Sequence, residues 1–131
     1  MSVLPEFQAR QIVQRMHRLR YQIDLFAAHA RTLRALSTSI DARMLLQEAD
    51  NLLRNLRACR EEFAKADGQV ASLSHRLSPF PPAAGGLPPA AQWGSEFRAG
   101  SRQFIAAVQN AEREIRQLRG AGISQMNSPT R

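Results

Sequence analysis

Residues able to do chemistry are scarce in this chain, and their scarcity excludes several classes of protein. A single cysteine, Cys59, among 131 residues rules out an internal disulfide. Lys65 is the only lysine, so the positive residues are nearly all arginine. His17, His29 and His75 lie far apart, and no pair has the i,i+3 or i,i+4 spacing of a helical metal site. Glu61 and Glu62 are adjacent, so on a helix they point apart and are not a paired-carboxylate centre. Gly85-Gly86 sits among prolines rather than between a strand and a helix, so no phosphate loop is read there. No apolar run approaches the ~20 residues needed to span a bilayer. Met1–Arg10 contains Pro5 and Glu6 but no apolar core of a signal peptide, so none is expected. The sequence predicts a protein that is not an enzyme and carries no metal or cofactor.

What the chain has is periodicity and arginine. Aromatic residues make up 6% and apolar residues 44%, and few glycines or prolines fall inside the periodic segments, which points to an all-α fold. The length is that of one domain, a single helical domain over 1–131. Between Ala42 and Leu77 the residues Ala42, Leu45, Ala49, Leu52, Leu56, Cys59, Phe63, Ala66, Val70, Leu73 and Leu77 step by three and four without a slip. That spacing places them on one stripe of a helix, as in a coiled-coil seam. Cys59 lies on the stripe and is read as a small core residue. Gly68 costs about 1 kcal/mol there, but the stripe keeps its phase through it.

A first helix is expected over about 6–36, with the stripe Ile12, Met16, Leu19, Ile23, Phe26, Ala30 and Leu33. Ser37-Thr38-Ser39 breaks it, and Thr38 with Asp41 fits a capping box that starts the second helix over 40–77. A loop this short makes the pair antiparallel. Folding the stripes about Ser37-Thr38 sets Leu33 against Ala42, Ala30 against Leu45 and Phe26 against Ala49, large facing small in the three layers nearest the bend, with Leu19 against Leu56 further along. The same register puts Arg15 near Glu62, Gln22 near Asn55 and His29 near Glu48 along one edge. The other edge carries Val13, Ala27, Leu46 and Leu53, which a third helix would cover.

Residues 78–91, SPFPPAAGGLPPAA, read as a linker, since proline after Ser78 ends the helix. The third helix is expected over 92–119, with Trp93, Phe97, Gly100 and Phe104, then Val108, Ala111, Ile115 and Leu118 after a one-residue shift of phase. Gly120-Ala121-Gly122 would end it and 120–131 would be a mobile tail. The whole is an elongated antiparallel helical hairpin plus a third helix, a three-helix bundle.

The formal charge is +7, carried by 18 basic against 11 acidic residues. Such a surplus permits nucleic acid, anionic lipid or an acidic protein as partner and selects none. On the first helix Arg15 and Arg18 fall to one flank of the stripe and Arg20 and Arg31 to the other, which is the pattern of a solvated cationic helix. The residues singled out for partner contact are the tip formed by Phe80, Leu87 and Trp93, then Arg10, Arg18 and Arg31 on the basic side of the first helix.

The order of helices and breaks carries a family resemblance. Gln22-Ile23 leads into Ala30-Arg31-Thr32-Leu33-Arg34-Ala35-Leu36 and a hydroxyl-rich break. A heptad helix with Leu45-Leu46-Gln47 and Leu52-Leu53 follows, then Ser78-Pro79-Phe80-Pro81, and Trp93 opens a further amphipathic helix. From about Gln8 to Leu118 this layout resembles the TrbJ-type conjugative transfer proteins of bacteria, relatives of the minor pilus component of type IV secretion systems. The resemblance implies a structural component of a DNA-transfer apparatus that acts in the periplasm through contacts with other secretion or pilus proteins; self-association is the other expectation, since a seam this regular could also be satisfied between chains. Members of that family are longer and begin with a signal peptide. The alternative is a cytoplasmic helical adaptor that touches nucleic acid or acidic proteins through its arginines.

Overall fold

A computed structural model describes residues 5–77 and 89–127, with side chains described for 7–70 and 96–127. Among them lie three long helices and one short turn of 3-10 helix: α1 (Pro5–Ala35), the turn Ser37–Ser39, α2 (Ala42–Leu77) and α3 (Pro89–Asn127). Contacts between α1 and α3 climb both chains together, from Met16 against Gly100 through Arg20 with Gln103 to Arg34 with Glu114. Contacts between α2 and α3 run oppositely, Phe63 on Phe104 and Leu46 on Gly122. The chain therefore runs up, down and up in a three-helix bundle, the expected all-α architecture.

The two stripes form the core. Ile12, Met16, Leu19, Ile23 and Ala30 of α1 and Leu45, Ala49, Leu52, Leu56, Cys59 and Ala66 of α2 are buried. Phe26 and Phe63 are half-buried and pack on the same core. Ile23, Leu45, Leu56, Ile115 and Leu118 are essentially sealed, each contributing about 1.5–3 kcal/mol of burial. The apolar edge is covered as well: Ala27 is buried and Leu53 packs on the core. α3 is more than a cover, however. It packs more extensively against either helix of the hairpin than these two pack against each other. Small residues allow this approach: Gly100 meets the Met16 methyl, and Ala107, Ala111 and Gly122 are buried.

Three boundaries differ from the sequence reading. The cap of α2 is Asp41, not Thr38: the Asp41 carboxylate accepts the Arg43 N–H at 2.9 Å, and the Asp41 carbonyl accepts the Leu45 N–H at 3.1 Å. Thr38 is instead inside the 3-10 turn, and Ile40 is extended (φ −118°, ψ 140°), so α2 starts at Ala42 rather than 40. α3 begins at Pro89, three residues before the expected start, because proline suits a first helical position. The rest of the expected linker, 78–88, lies outside the described residues.

The third difference is the largest. Gly120-Ala121-Gly122 does not end α3, and 120–127 is helix rather than a mobile tail. Tertiary packing holds it. Gly122 is buried on α2, where an added Cβ would lie 3.1 Å from Leu46 Cδ2 and 3.3 Å from Leu45 Cβ. One turn on, the Gln125 side-chain amide donates to the Ser37 carbonyl in the α1–α2 turn. Each glycine costs about 1 kcal/mol of helix propensity, and these contacts offset it. Residues 128–131 lie outside the described residues.

The edge pairs follow side-chain tilt. His29 Nε2 lies 3.5 Å from Glu48 Oε2, as the register placed them. Gln22 meets Cys59 rather than Asn55: the thiol donates to Gln22 Oε1 at 3.6 Å. Side chains lean toward the N-terminus of their own helix. In an antiparallel pair Gln22 leans away from the bend and Cys59 toward it, so they meet one turn beyond the backbone register.

Candidate functional site

The buried stripe of α1 uses one side of that helix, and its opposite side is not bare of large apolar groups. Phe7, Tyr21, Leu25 and Leu36 are 53%, 65%, 48% and 52% exposed. At 3.6 residues per turn they fall, with Arg18, within an arc of about 60° pointing straight away from the core. Phe7 and Tyr21 occupy the same heptad position, Tyr21 and Leu25 are i,i+4 neighbours, and Leu36 N–H still bonds the Thr32 carbonyl at 3.1 Å as the helix ends. Gln14 and Thr32 share the arc, so the stripe is interrupted by polar groups. A helix with apolar residues on both sides has a weak overall polarity between faces, and α1 is the least amphipathic of the three.

The flanks of α1 are occupied by its neighbours. Toward α3, Arg20 donates to Gln103 Oε1 at 2.6 Å, and Arg34 Nη2 lies 3.4 Å from Glu114 Oε2. Toward α2 lie Gln22 on Cys59 and His29 on Glu48. Leu25 reaches the rim of the open groove between α1 and α2, beside Gln22 and Ala58. Of the arginines expected to meet a partner, Arg18 lies on the outward arc, Arg10 about 20° beyond its edge and Arg31 on the α3 flank. All three are exposed and form no ion pair among the described residues. Phe80 and Leu87 lie outside the described residues; Trp93 is in α3, but its side chain is not described.

Sequence reasoning missed Phe7, Tyr21, Leu25 and Leu36. Their 14-, 4- and 11-residue separations each lie close to a whole number of helical turns and are legible in the sequence, yet the core stripe alone already accounts for a helix there.

Other polar features serve the bundle. Glu114 is the one buried charged side chain among the described residues, and its Oε2 has no hydrogen bond despite the nearby Arg34. Arg60 Nη1 meets Glu112 Oε1 at 2.9 Å across α2 and α3, beside the stacked rings of Phe63 and Phe104 (centroids 3.9 Å apart, planes 4° apart). Burial, and then the Glu62 carboxylate, pushes the Cys59 thiol above its ordinary range. No helix is long and apolar enough to cross a membrane among the described residues, and no group of three or more His, Cys, Asp or Glu gathers for a metal there. Comparison of the chain with protein-family models, curated proteins and solved structures gives no match.

Proposed function

We propose that this chain is a non-enzymatic interaction protein that works through the outward face of α1, as a structural component of a conjugative type IV secretion apparatus. The observation that carries the first half is the uncovered set of Phe7, Tyr21, Leu25 and Leu36 on a helix whose other side is already committed to the core. Large apolar side chains aligned on a face with arginines between them are the composition of a partner surface. The transfer setting rests on the resemblance in helix order and breaks to TrbJ-type proteins. Its test is genetic. Removing the gene from a transfer-competent host should lower conjugation frequency, and supplying it in trans should restore it; unchanged transfer removes this setting.

A second reading draws on Arg10, Arg18 and Arg31, all exposed and without ion pairs among the described residues. A helical adaptor would use them on nucleic acid or an acidic protein. Binding to generic duplex DNA that falls steeply with salt supports the nucleic-acid form, and no binding at low salt removes it.

A further inference from the structure

The charge on α1 narrows the kind of partner. Arg10, Arg15, Arg18 and Arg31 are exposed and form no ion pair among the described residues. Asp24 already lies 3.9 Å from Arg20. The outward face thus offers aligned apolar groups with positive charge on and beside them, and its acidic neighbours stand at the flanks: Asp24 beside Arg20, and Glu62 across the α1–α2 groove from Leu25. We propose that it docks an acidic amphipathic helix belonging to another protein. The inference rests on the interaction-protein half of the reading above, not on the transfer apparatus.

The observations separate this occupant from others. A second copy of the chain would bring Arg10 and Arg18 of two faces together, in molecules that each carry +7. A bilayer would take a continuous apolar face, whereas Gln11, Gln14 and Thr32 interrupt this one. A phosphate backbone would use the arginines but leave Phe7, Tyr21 and Leu25 in water. A helix matches both features at once. From Phe7 to Leu25 the face runs ~27 Å, about 18 residues of a partner helix. Its apolar side chains recur at three and four. Its carboxylates sit about two turns apart, to meet Arg10 and Arg18, which are separated by ~12 Å.

The experiment uses the full chain and a synthetic helix of about 20 residues, with leucines at three-four spacing and glutamates along both flanks. Fluorescence anisotropy reads its binding. Parallel arms replace every glutamate by lysine, or replace the peptide by phosphatidylglycerol vesicles or duplex DNA; sedimentation reads self-association. The acidic helix should bind. Arg10→Glu with Arg18→Glu, and separately Tyr21→Ser with Leu25→Ser, should each weaken it by about tenfold or more while the thermal melt stays put. No binding of the acidic helix, equal binding of the lysine peptide, or indifference to both variant pairs overturns the proposal. So does a dimer that Tyr21→Ser with Leu25→Ser dissolves, or capture of vesicles or DNA alone through these residues. A chain that binds the peptide but is dispensable for conjugation refutes only the transfer setting. A chain required for transfer that ignores the peptide refutes only the partner chemistry.

Discussion

Gly122 of α3 lies flat against Leu46 of α2, close enough that a Cβ at 122 would fall 3.1 Å from Leu46 Cδ2. Leu45 Cβ, 3.3 Å from the same point, belongs to a fully buried residue and has no room to give. The glycine is therefore a contact surface and not a helix terminator. Gly68 and Gly120 are the opposite case: nothing lies within 4 Å of an added Cβ at either. Gly122→Val should cost about 1–3 kcal/mol through overpacking. Gly68→Ala and Gly120→Ala should each stabilise by about 0.5–1 kcal/mol through helix propensity. Thermal melts of the three variants check this, and a Gly122→Val chain as stable as its parent would show that α3 does not press on α2 there.

The start of α2 gives a second contrast. Asp41 holds the Arg43 N–H, whereas Thr38 lies in the 3-10 turn and caps nothing. Asp41→Ala should cost about 0.5–2 kcal/mol and Thr38→Ala a few tenths at most. Chemical denaturation resolves the two. The reverse order would restore Thr38 as the cap.

These two corrections show where the sequence stops being legible. The seam of α2 announced itself because its three-four steps persist from Ala42 to Val70 and every described side chain on them is at least half-buried. The bend was equally plain, since Ser37-Thr38-Ser39 is the break between two periodic runs. Local chemistry is ambiguous at the ends, however. Thr38 and Asp41 are both good capping residues, and only the extended backbone at Ile40 selects between them. Gly122 looks the same in sequence whether it ends a helix or lets another helix approach, and Leu46 decides. The outward face of α1 was hidden for a different reason: a helix with two stripes satisfies the search for one.

Arg34 and Glu114 join α1 to α3 asymmetrically. Glu114 is buried and its Oε2 makes no hydrogen bond, while Arg34 is 37% exposed and can return to water. Removing the arginine strands a buried carboxylate, so Arg34→Met should lose about 1–3 kcal/mol. Removing the carboxylate strands nothing, so Glu114→Met should be neutral or stabilising, and it should rescue Arg34→Met in the double variant. Denaturation of the single and double variants closes the cycle. Equal losses from both single changes would mean that the ion pair is a net contributor to the fold.

Cys59 ties a core position to a measurable reactivity. It is 7% exposed, its thiol donates to Gln22, and burial followed by the Glu62 charge raises its pKa. The thiolate is the reactive form, so at pH 8 a native chain should react with an aromatic disulfide reagent far more slowly than the urea-unfolded chain. The sign for stability follows. A thiol that ionises later when folded contributes stability that is complete below the unfolded pKa and is lost as the pH rises through the folded one. The parent should therefore lose stability on the alkaline side relative to Cys59→Ala, although the alanine variant starts lower because it leaves a small void. Glu62→Gln removes the second cause of the shift and should speed modification of the native thiol modestly without exposing it. Reaction at the unfolded rate would mean that the α1–α2 seam opens at Cys59 more readily than its packing implies.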